Sequence, residues 1–195
     1  MSNNFSLIIA NSFQIYQDYG IKCISMDDLC KQLKISKKTI YKFVANKEDL
    51  LKHIFLEYVP DIFNKKYESA SGSKNAIEKI YYNKNLFFVS TTELSESVKF
   101  DLEQFYPHIF AEFKAKIKEI ALKHLEENIT EGKSQNLYSE DFNAELYSKI
   151  FLNFDSLDAD YSPEEIQKEL IYIFFKSTST DLGFSIYNSL CRNDN

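Results

Sequence analysis

Five lysines lie close together in the N-terminal part of a chain whose overall charge is negative. They are Lys31, Lys34, Lys37, Lys38 and Lys42, and no acidic residue lies between the first and the last. Residues 1–59 contain eight lysines and six acidic residues, a net charge of +2; since the whole chain carries −6, the remainder carries −8. A short basic segment in an acidic protein indicates either a solvated helix face or a site for a polyanion.

The spacing of these lysines favours a surface that binds nucleic acid. If residues 37–44 form a helix, three apolar side chains share one face, namely Ile40, Phe43 and Val44. Lys38 and Lys42 then point nearly opposite, and Tyr41 flanks them. A two-turn helix with an apolar inner face and a basic outer face fits the major groove of DNA. Its N-terminal end, where Lys37 lies, favours phosphate groups because unpaired N–H groups and the positive end of the helix dipole are there.

Two local signals position that helix. Ser25 and Asp28 have the spacing of a capping box, which predicts that a short helix begins there. A break follows at Lys34–Ile35, and Ser36 is a second candidate N-cap. Two short helices joined by a tight turn are typical of a helix-turn-helix.

The rest of the sequence is also predicted to be helical, so the fold class is all-α. Apolar residues at three- and four-residue steps predict a first helix over 5–19, which Gly20 ends, and a longer helix from 47 toward 67 with a kink or break at Pro60. After a linker at 69–73, turn signals separate five further helices at 74–92, 95–105, 107–131, 140–156 and 163–190. Only 4 glycines and 3 prolines in 195 residues argue against a turn-rich β-sandwich.

Two segments carry a family resemblance: SKKTIYKFV at 36–44 and NKEDLL at 46–51. Together with Gly20 and Ser25 ahead of them, they resemble the signature of the TetR (tetracycline-repressor) family of DNA-binding regulators. The resemblance covers residues 8–56; the rest of the chain is similar only in architecture.

The resemblance implies how the chain is organised. It implies a three-helix DNA-binding domain over 1–46, a connecting helix over 47–68, and an effector-binding and dimerisation domain over 69–195. A protein of this kind is expected to be a repressor that a small-molecule effector releases from a DNA operator. It needs no cofactor or metal.

The resemblance also implies the residues that contact DNA. Phosphate contacts are expected from four side chains, Ser25, Thr39, Tyr41 and Lys47. Contacts to bases or adjacent phosphates are expected from Lys37, Lys38 and Lys42, and the N-cap Ser36 completes the predicted set. For Tyr41 the alternative is a ring that packs at the surface of the three-helix domain, residues 1–46, which we call the head.

The sequence departs from the family pattern at two positions in this region. Lys34 stands where the turn usually has glycine, and Lys38 stands where a small residue is common. If Lys34 adopts a left-handed conformation, it costs about 1 kcal/mol, but it adds positive charge near the DNA backbone.

A cavity for a small, often hydrophobic effector is the further expectation from the resemblance. Six aromatic residues are the candidate lining: Phe87, Phe88, Tyr106, Phe110, Phe113 and Phe151. For each of them, packing in the core is the alternative.

The last part of the chain also has the pattern of a self-association surface. The predicted helices 140–156 and 163–190 are rich in apolar residues, and together they could form half of a four-helix interface between two copies related by a twofold axis. Burial within one chain is the alternative. Gly183, inside the last predicted helix, either allows close approach of a neighbouring helix or is merely tolerated there.

Two other classes of protein are the alternatives to a DNA-binding regulator. An enzyme or metal protein is disfavoured because no phosphate-binding or nucleophile motif is present and the three histidines form only single helical pairs, predicted at the surface. Three cysteines without a CxxC pair fit neither a disulfide framework nor a zinc site. A helical interaction module that has lost DNA binding stays open. The absence of a signal sequence or an apolar span predicts a cytoplasmic protein.

Overall fold

Regular structure in this protein is helical, as the sequence predicts. The structure, a computed structural model, describes residues 3–69, 73–84, 94–152 and 162–193. Its α-helices are α1 (Asn3–Tyr19), α2 (Met26–Gln32), α3 (Lys37–Ile40), α4 (Lys47–Lys52), α5 (Val59–Glu68), α6 (Ala76–Tyr82), α7 (Glu96–Phe105), α8 (Pro107–Ser134), α9 (Ala144–Phe151), α10 (Pro163–Thr178) and α11 (Asp181–Asn193). Within those four ranges there is no strand, and Tyr138 and Ser179 form an isolated antiparallel bridge.

The connecting segment is helical throughout, so of the kink or break predicted at Pro60 the break does not occur. A π-helical segment, His53–Tyr58, joins α4 to α5, and Pro60 lies inside α5. Proline has no N–H to donate, and its ring collides with the carbonyl of the preceding turn of an α-helix. Because a π-turn widens the helix by one residue directly ahead of Pro60, the chain accommodates the ring without ending the helix.

The last helix is two helices, which corrects the prediction of one helix over 163–190. The chain leaves helical geometry at Ser179, whose φ and ψ are −84° and 153°. Three backbone hydrogen bonds hold this corner, namely Ser139 N–H to Thr178 O at 2.8 Å, Thr180 N–H to Leu137 O at 3.0 Å and Ser179 N–H to Phe175 O at 3.0 Å. The first two come from a distant segment, which local periodicity does not reveal.

The other C-terminal boundaries agree with the predictions to different degrees. The helix predicted over 95–105 is α7, capped by Ser95, whose side chain accepts the N–H of Val98. The helix predicted over 107–131 extends to Ser134. Of 74–92 only Ala76–Tyr82 is helical before residue 85, and of 140–156 only Ala144–Phe151 is helical before residue 153.

The chain forms two compact units. The first unit contains residues 1–63 and 93–116, and the second contains residues 64–92 and 117–195. Helices α1 to α4, the π-helical segment, the start of α5, α7 and the first part of α8 therefore belong to the first unit. The domain division predicted from the sequence assigns a function to each segment. These two units do not test it, so it stays a prediction.

An apolar core fills the first unit. Its buried side chains come from all the helices of the unit and include Ile8, Ile9, Leu29, Ile40, Val44, Leu50, Leu51, Ile54, Phe55, Val98, Leu102, Ile109 and Phe113. The Phe5 and Phe43 rings stack with their centroids 4.9 Å apart, so the segment after α3 packs on α1.

A core of aromatic and aliphatic side chains also fills the second unit, and two glycines allow its closest contacts. A Cβ atom on Gly132 would lie 2.2 Å from the Tyr138 ring, and one on Gly183 would lie 2.1 Å from the Leu137 carbonyl oxygen. Of the two alternatives given for Gly183, the structure has a close approach, but the neighbour is the backbone of the α8–α9 connection rather than a helix. Any larger residue at either position would displace these groups.

Candidate nucleic-acid interface

The helix preceding the basic segment begins with a complete capping box. The Ser25 side chain accepts the N–H of Asp28 at 3.2 Å, and the Asp28 carboxylate accepts the Ser25 N–H at 3.3 Å. The Ser25 hydroxyl also donates to that carboxylate at 2.5 Å, and this hydrogen bond is the main reason that the pKa of Asp28 is lowered. The capping box predicted from the sequence is confirmed.

The turn between α2 and α3 ends α2 in a left-handed residue. Lys34 has a φ of 55°, its N–H donates to Lys31 O at 3.1 Å, and the next N–H, of Ile35, donates to Cys30 O at 3.0 Å. These two hydrogen bonds form a Schellman motif, in which glycine is the favoured residue at the left-handed position. Lys34 therefore has the left-handed conformation for which the sequence analysis gives a cost of about 1 kcal/mol.

Helix α3 is shorter than the two turns predicted for 37–44. It ends at Ile40, and residues 41–43 continue as a turn in which Phe43 N–H donates to Ile40 O at 3.0 Å. Ser36 caps α3 by accepting the Thr39 N–H at 3.1 Å, and the hydroxyls of Ser36 and Thr39 lie 2.8 Å apart. Ile40 and Val44 are buried and Phe43 is half-buried, so the predicted inner face is formed even though the helix is short.

The opposite face of this segment is exposed and basic. The side chains of Lys38 and Lys42 are exposed, and 47% of Tyr41 is accessible to solvent. Within the described part of the chain neither lysine has an acidic partner. Lys37 is different, because its ammonium lies 2.6 Å from a carboxylate oxygen of Asp27. The hydrogen bond to Asp27, and then the charge of that carboxylate, raise the pKa of Lys37.

Lys47 is directed into the head rather than away from it. Its ammonium donates to Ile21 O at 2.5 Å and to Ile24 O at 2.6 Å, and it lies 5.7 Å from the centroid of the Tyr16 ring. Burial lowers the pKa of Lys47, against the opposing charge of Asp101. Two of its three N–H donors are therefore used within the protein, and one is left for a phosphate group.

A residue that the sequence did not single out, Asp101 of α7, holds the same connection from the other side. Its carboxylate accepts the Lys22 N–H at 2.8 Å, and it lies 3.1 Å from where a Cβ atom of Gly20 would be. Gly20 has a φ of 81°, which favours glycine, so the connection between α1 and α2 turns tightly against α7. The Lys22 ammonium lies 3.7 Å from the Phe105 ring centroid. These contacts are long-range in sequence, and no local signal indicates them.

The aromatic residues predicted to bind an effector come from both units. Tyr106, Phe110 and Phe113 belong to the first unit, Phe151 belongs to the second, and Phe87 and Phe88 lie outside the described residues. Phe113 is fully buried, with its ring centroid 5.9 Å from that of Phe55. Phe151 is buried against Phe174, at a centroid distance of 4.8 Å.

One open depression of about 350 Å³ lies along α11 in the second unit. Six residues line it: Asp181, Phe184, Ser185, Asn188, Ser189 and Arg192. None of the predicted aromatic candidates is among them.

A buried polar cluster lies between α5, α6 and α8 of the second unit. His124 Nε2 lies 2.8 Å from Asn64 Oδ1, and the His124 ring stacks on that of Tyr67 at a centroid distance of 4.0 Å. Asn128 donates to Ala76 O at 3.0 Å and accepts from the buried Tyr138 hydroxyl at 3.1 Å. His124 is buried, which corrects the expectation that all three histidines form surface pairs.

The described residues include no group of three or more His, Cys, Asp or Glu side chains that could hold a metal ion. Among the helices given above, none is both long enough and apolar enough to cross a lipid bilayer.

The fold and the site define a class of protein: an all-α chain with a three-helix head that presents a short, basic helix after a tight turn. Solved structures of transcriptional regulators share this fold. The chain is similar to a regulator from Cytophaga hutchinsonii with 14% identity and a TM-score of 0.72, over 92% of this chain and 100% of that one. It is also similar to reduced NemR from Escherichia coli, with 15% identity and a TM-score of 0.63, over 89% and 95% of the two chains.

A third solved structure names the fold family. It is a regulator of the TetR/AcrR family from Thermobifida fusca, with 15% identity and a TM-score of 0.56, over 89% of this chain and 97% of that one. The chain therefore has the fold of TetR-family transcriptional regulators. No protein-family model matches the sequence, and no curated protein matches it.

Proposed function

We propose that the protein is a dimeric TetR-type transcriptional regulator that binds a DNA operator and is released from it by a small-molecule effector. In this proposal residues 1–46 bind DNA, residues 47–68 connect, and residues 69–195 hold the effector and form the dimer. The protein acts as a repressor in the cytoplasm and is not an enzyme.

The observation that carries the proposal is the exposed basic face of the helix-turn-helix. Lys38, Lys42 and Tyr41 are exposed on the side of the segment opposite to the buried Ile40 and Val44. Because the remainder of the chain is acidic, this segment is where a DNA backbone is attracted. A short helix presented in this way matches the insertion of a recognition helix into the major groove.

Different parts of the site have different roles in the proposal. Ser25, Ser36, Thr39 and Tyr41 contact phosphate groups, and they fix the position of the head on DNA. Lys38 and Lys42 reach base edges and so select sequence. Lys37 and Lys47 share their donors between the protein and the DNA backbone, since each already has a partner within the head.

The effector and its mechanism follow from the resemblance to the family. The effector is a small, hydrophobic molecule that binds among helices of the second domain, with the aromatic candidates as its lining. Its binding displaces the connecting helix, whose N-terminus supports the head through Lys47. The separation of the two heads in the dimer then changes, and the operator is released. The idea fails if no effector alters DNA affinity or head spacing.

Fluorescence anisotropy tests the proposal directly. The purified protein is titrated into labelled DNA from upstream of its own gene and into scrambled DNA of the same composition, over a series of salt concentrations. Tight, sequence-selective binding that weakens with salt is the expected result. If no DNA binds even at low salt, the head does not bind DNA and the protein is a helical interaction module.

Substitutions separate the two kinds of contact. Tyr41→Phe should weaken binding to all sequences alike, because it removes a hydroxyl that contacts phosphate. Lys38→Gln and Lys42→Gln should weaken binding and also change base preference, by about 1–3 kcal/mol of discrimination at each contacted base pair. Equal losses on operator and random DNA for all three variants would contradict the separate roles.

A further inference from the structure

Lys34, in the turn of the helix-turn-helix, occupies a conformation that its residue type disfavours. Its φ of 55° lies in the left-handed region, where an L-residue with a Cβ atom is strained and glycine is not. The side chain is exposed, and no acidic partner contacts it within the described part of the chain. Among the described residues, therefore, neither burial of the Lys34 side chain nor an ion pair offsets the strain of its backbone.

A second helix end in this chain has the same backbone conformation. Asn136 also has a φ of 55° and closes a Schellman motif at the end of α8, where Leu137 N–H donates to Gly132 O at 2.8 Å. Asparagine is one of the few residues that tolerate this conformation. Among the described residues with a side chain, only Lys34 and Asn136 have positive φ, and only the one in the head is charged.

The position of Lys34 gives its charge a use. It lies two residues before Ser36, the N-cap of α3, and therefore within one turn of the start of the proposed recognition helix. Lys38 and Lys42 are the other exposed lysines without acidic partners in this segment, whereas Lys37 is held by Asp27 and Lys31 lies 3.7 Å from Asp28. The unneutralised positive charge thus continues from the outer face of α3 into the turn.

We propose that Lys34 is an additional DNA-backbone contact, a lysine kept at the left-handed turn position because its ammonium binds a phosphate group without regard to sequence. This inference rests on the proposed DNA-binding function. It adds to the recognition surface a contact that fixes affinity rather than base choice.

The test compares Lys34→Gly with wild type in the same anisotropy assay, on operator and on scrambled DNA. Lys34→Gly should unfold at the same or a higher temperature, because glycine accepts the left-handed conformation. It should nevertheless bind both DNAs more weakly. The dissociation constant at 0.1 M salt should rise roughly tenfold for each protein chain whose residue 34 lies at a phosphate group. The slope of log K against log salt should become shallower by about 0.9 for each chain.

Three further variants make the result specific. Lys34→Arg keeps the charge and should retain affinity and slope. Asn136→Gly makes the matched backbone change in the second unit, and Lys74→Gln removes one exposed positive charge there, outside the predicted dimer surface; neither should change DNA binding.

The outcomes distinguish this inference from the proposed function. If wild type binds the operator and Lys34→Gly binds equally tightly with the same salt slope, the inference is overturned and the proposed function stands. A loss of affinity in Lys34→Arg as large as in Lys34→Gly would also overturn it. Failure of wild type to bind any DNA overturns both.

Discussion

Lys47 shows how one residue type can serve the fold in a place where the family pattern suggests a DNA contact. Its ammonium closes the α1–α2 connection by donating to two backbone carbonyls, of Ile21 and Ile24. A carbonyl left without a donor in a partly buried site costs about 1–3 kcal/mol. The family resemblance indicated Lys47 as a functional residue. The direction of its side chain was not predictable, because its two acceptors lie more than twenty residues away in the sequence.

Lys47→Met should therefore destabilise the protein. The variant keeps most of the aliphatic stem but removes both donors, and we expect the free energy of unfolding to fall by about 1–3 kcal/mol. Urea denaturation followed by circular dichroism measures the change. Lys52→Met is the matched control on the same helix, since the acidic partner of Lys52 among the described residues is Glu48, in an exposed ion pair, and its loss should cost much less. Equal losses in the two variants would contradict the assignment.

His124 gives the second unit a dependence on pH. Burial lowers its pKa, against the opposing charges of Glu127 and Glu68. Because Asn64 donates to Glu68 through Nδ2, its Oδ1 faces His124 and the neutral ring donates from Nε2. The unfolded chain binds a proton more readily than the folded one, so stability is complete above the ordinary histidine pKa of about 6.5 and falls as the pH falls below it.

The prediction is that His124→Gln flattens this dependence. Wild type should lose unfolding free energy between about pH 7 and pH 5, whereas His124→Gln should lose less over the same range. Urea denaturation at each pH measures both. His108→Gln is the control, because His108 is exposed beside Glu48 and should leave the acid-side loss of stability in place. An unchanged pH dependence in His124→Gln would exclude the buried histidine as its cause.

Among the elements, α3 depends most on its cap. It has four residues, and a helix of this length is not stable by itself. The Ser36 side chain satisfies one of its first N–H groups, and burial of Ile40 and Val44 fixes its inner face. The order of the proposed recognition surface thus rests on one hydroxyl and two apolar side chains.

Ser36→Ala should affect DNA binding more than stability. Loss of an N-cap costs about 1 kcal/mol of unfolding free energy, but here the helix that frays is the proposed recognition helix. Thermal unfolding and operator anisotropy measure the two effects. Ser162→Ala removes the N-cap of α10, where Ser162 accepts the Glu165 N–H at 3.2 Å, and should cost similar stability without changing DNA affinity. If both variants bind DNA as wild type does, α3 does not need its cap.

Element boundaries were predictable where a local signal sets them. Ser25 and Ser36 were predicted as N-caps from the sequence, and the structure has a helix after each. The boundaries that were missed depend on distant partners. The corner at Ser179 is held by hydrogen bonds to and from the α8–α9 connection, and no local signal indicates the π-helical segment ahead of Pro60.

Across the whole molecule, charge is divided in a way that suits a protein with one DNA-binding end. The first 59 residues carry +2 and the remainder carries −8. Since an acidic remainder repels DNA, the proposed function predicts that non-specific binding is confined to the basic segment and declines steeply with salt. This division of charge can be read from the sequence, whereas the directions of the individual side chains, such as the inward direction of Lys47, depend on the fold.

Exposed apolar residues of the second unit indicate where two copies would meet. Leu146 and Ile150 lie one turn apart on α9 and are 53% and 49% exposed, and Ile173 on α10 is 56% exposed. The predicted dimer surface, 140–156 with 163–190, contains all three. A twofold dimer that covers them would place two heads on a palindromic operator, so dimer formation and operator affinity should be linked.

A charged side chain on this surface should therefore weaken both dimer formation and operator affinity. Ile150→Glu and Ile173→Glu each place a carboxylate where a partner would bury it, and each should shift the protein from dimer to monomer in sedimentation-velocity experiments. Operator affinity should fall with the dimer, because a single head makes half of the contacts, while the helical circular-dichroism spectrum should be kept since both positions are exposed in the single chain. Phe100→Glu, at a residue 58% exposed on α7 in the first unit, should leave the oligomeric state unchanged. Dimers that persist in both variants would show that α9 and α10 do not form the interface, and the link to operator affinity would then have to come from another surface.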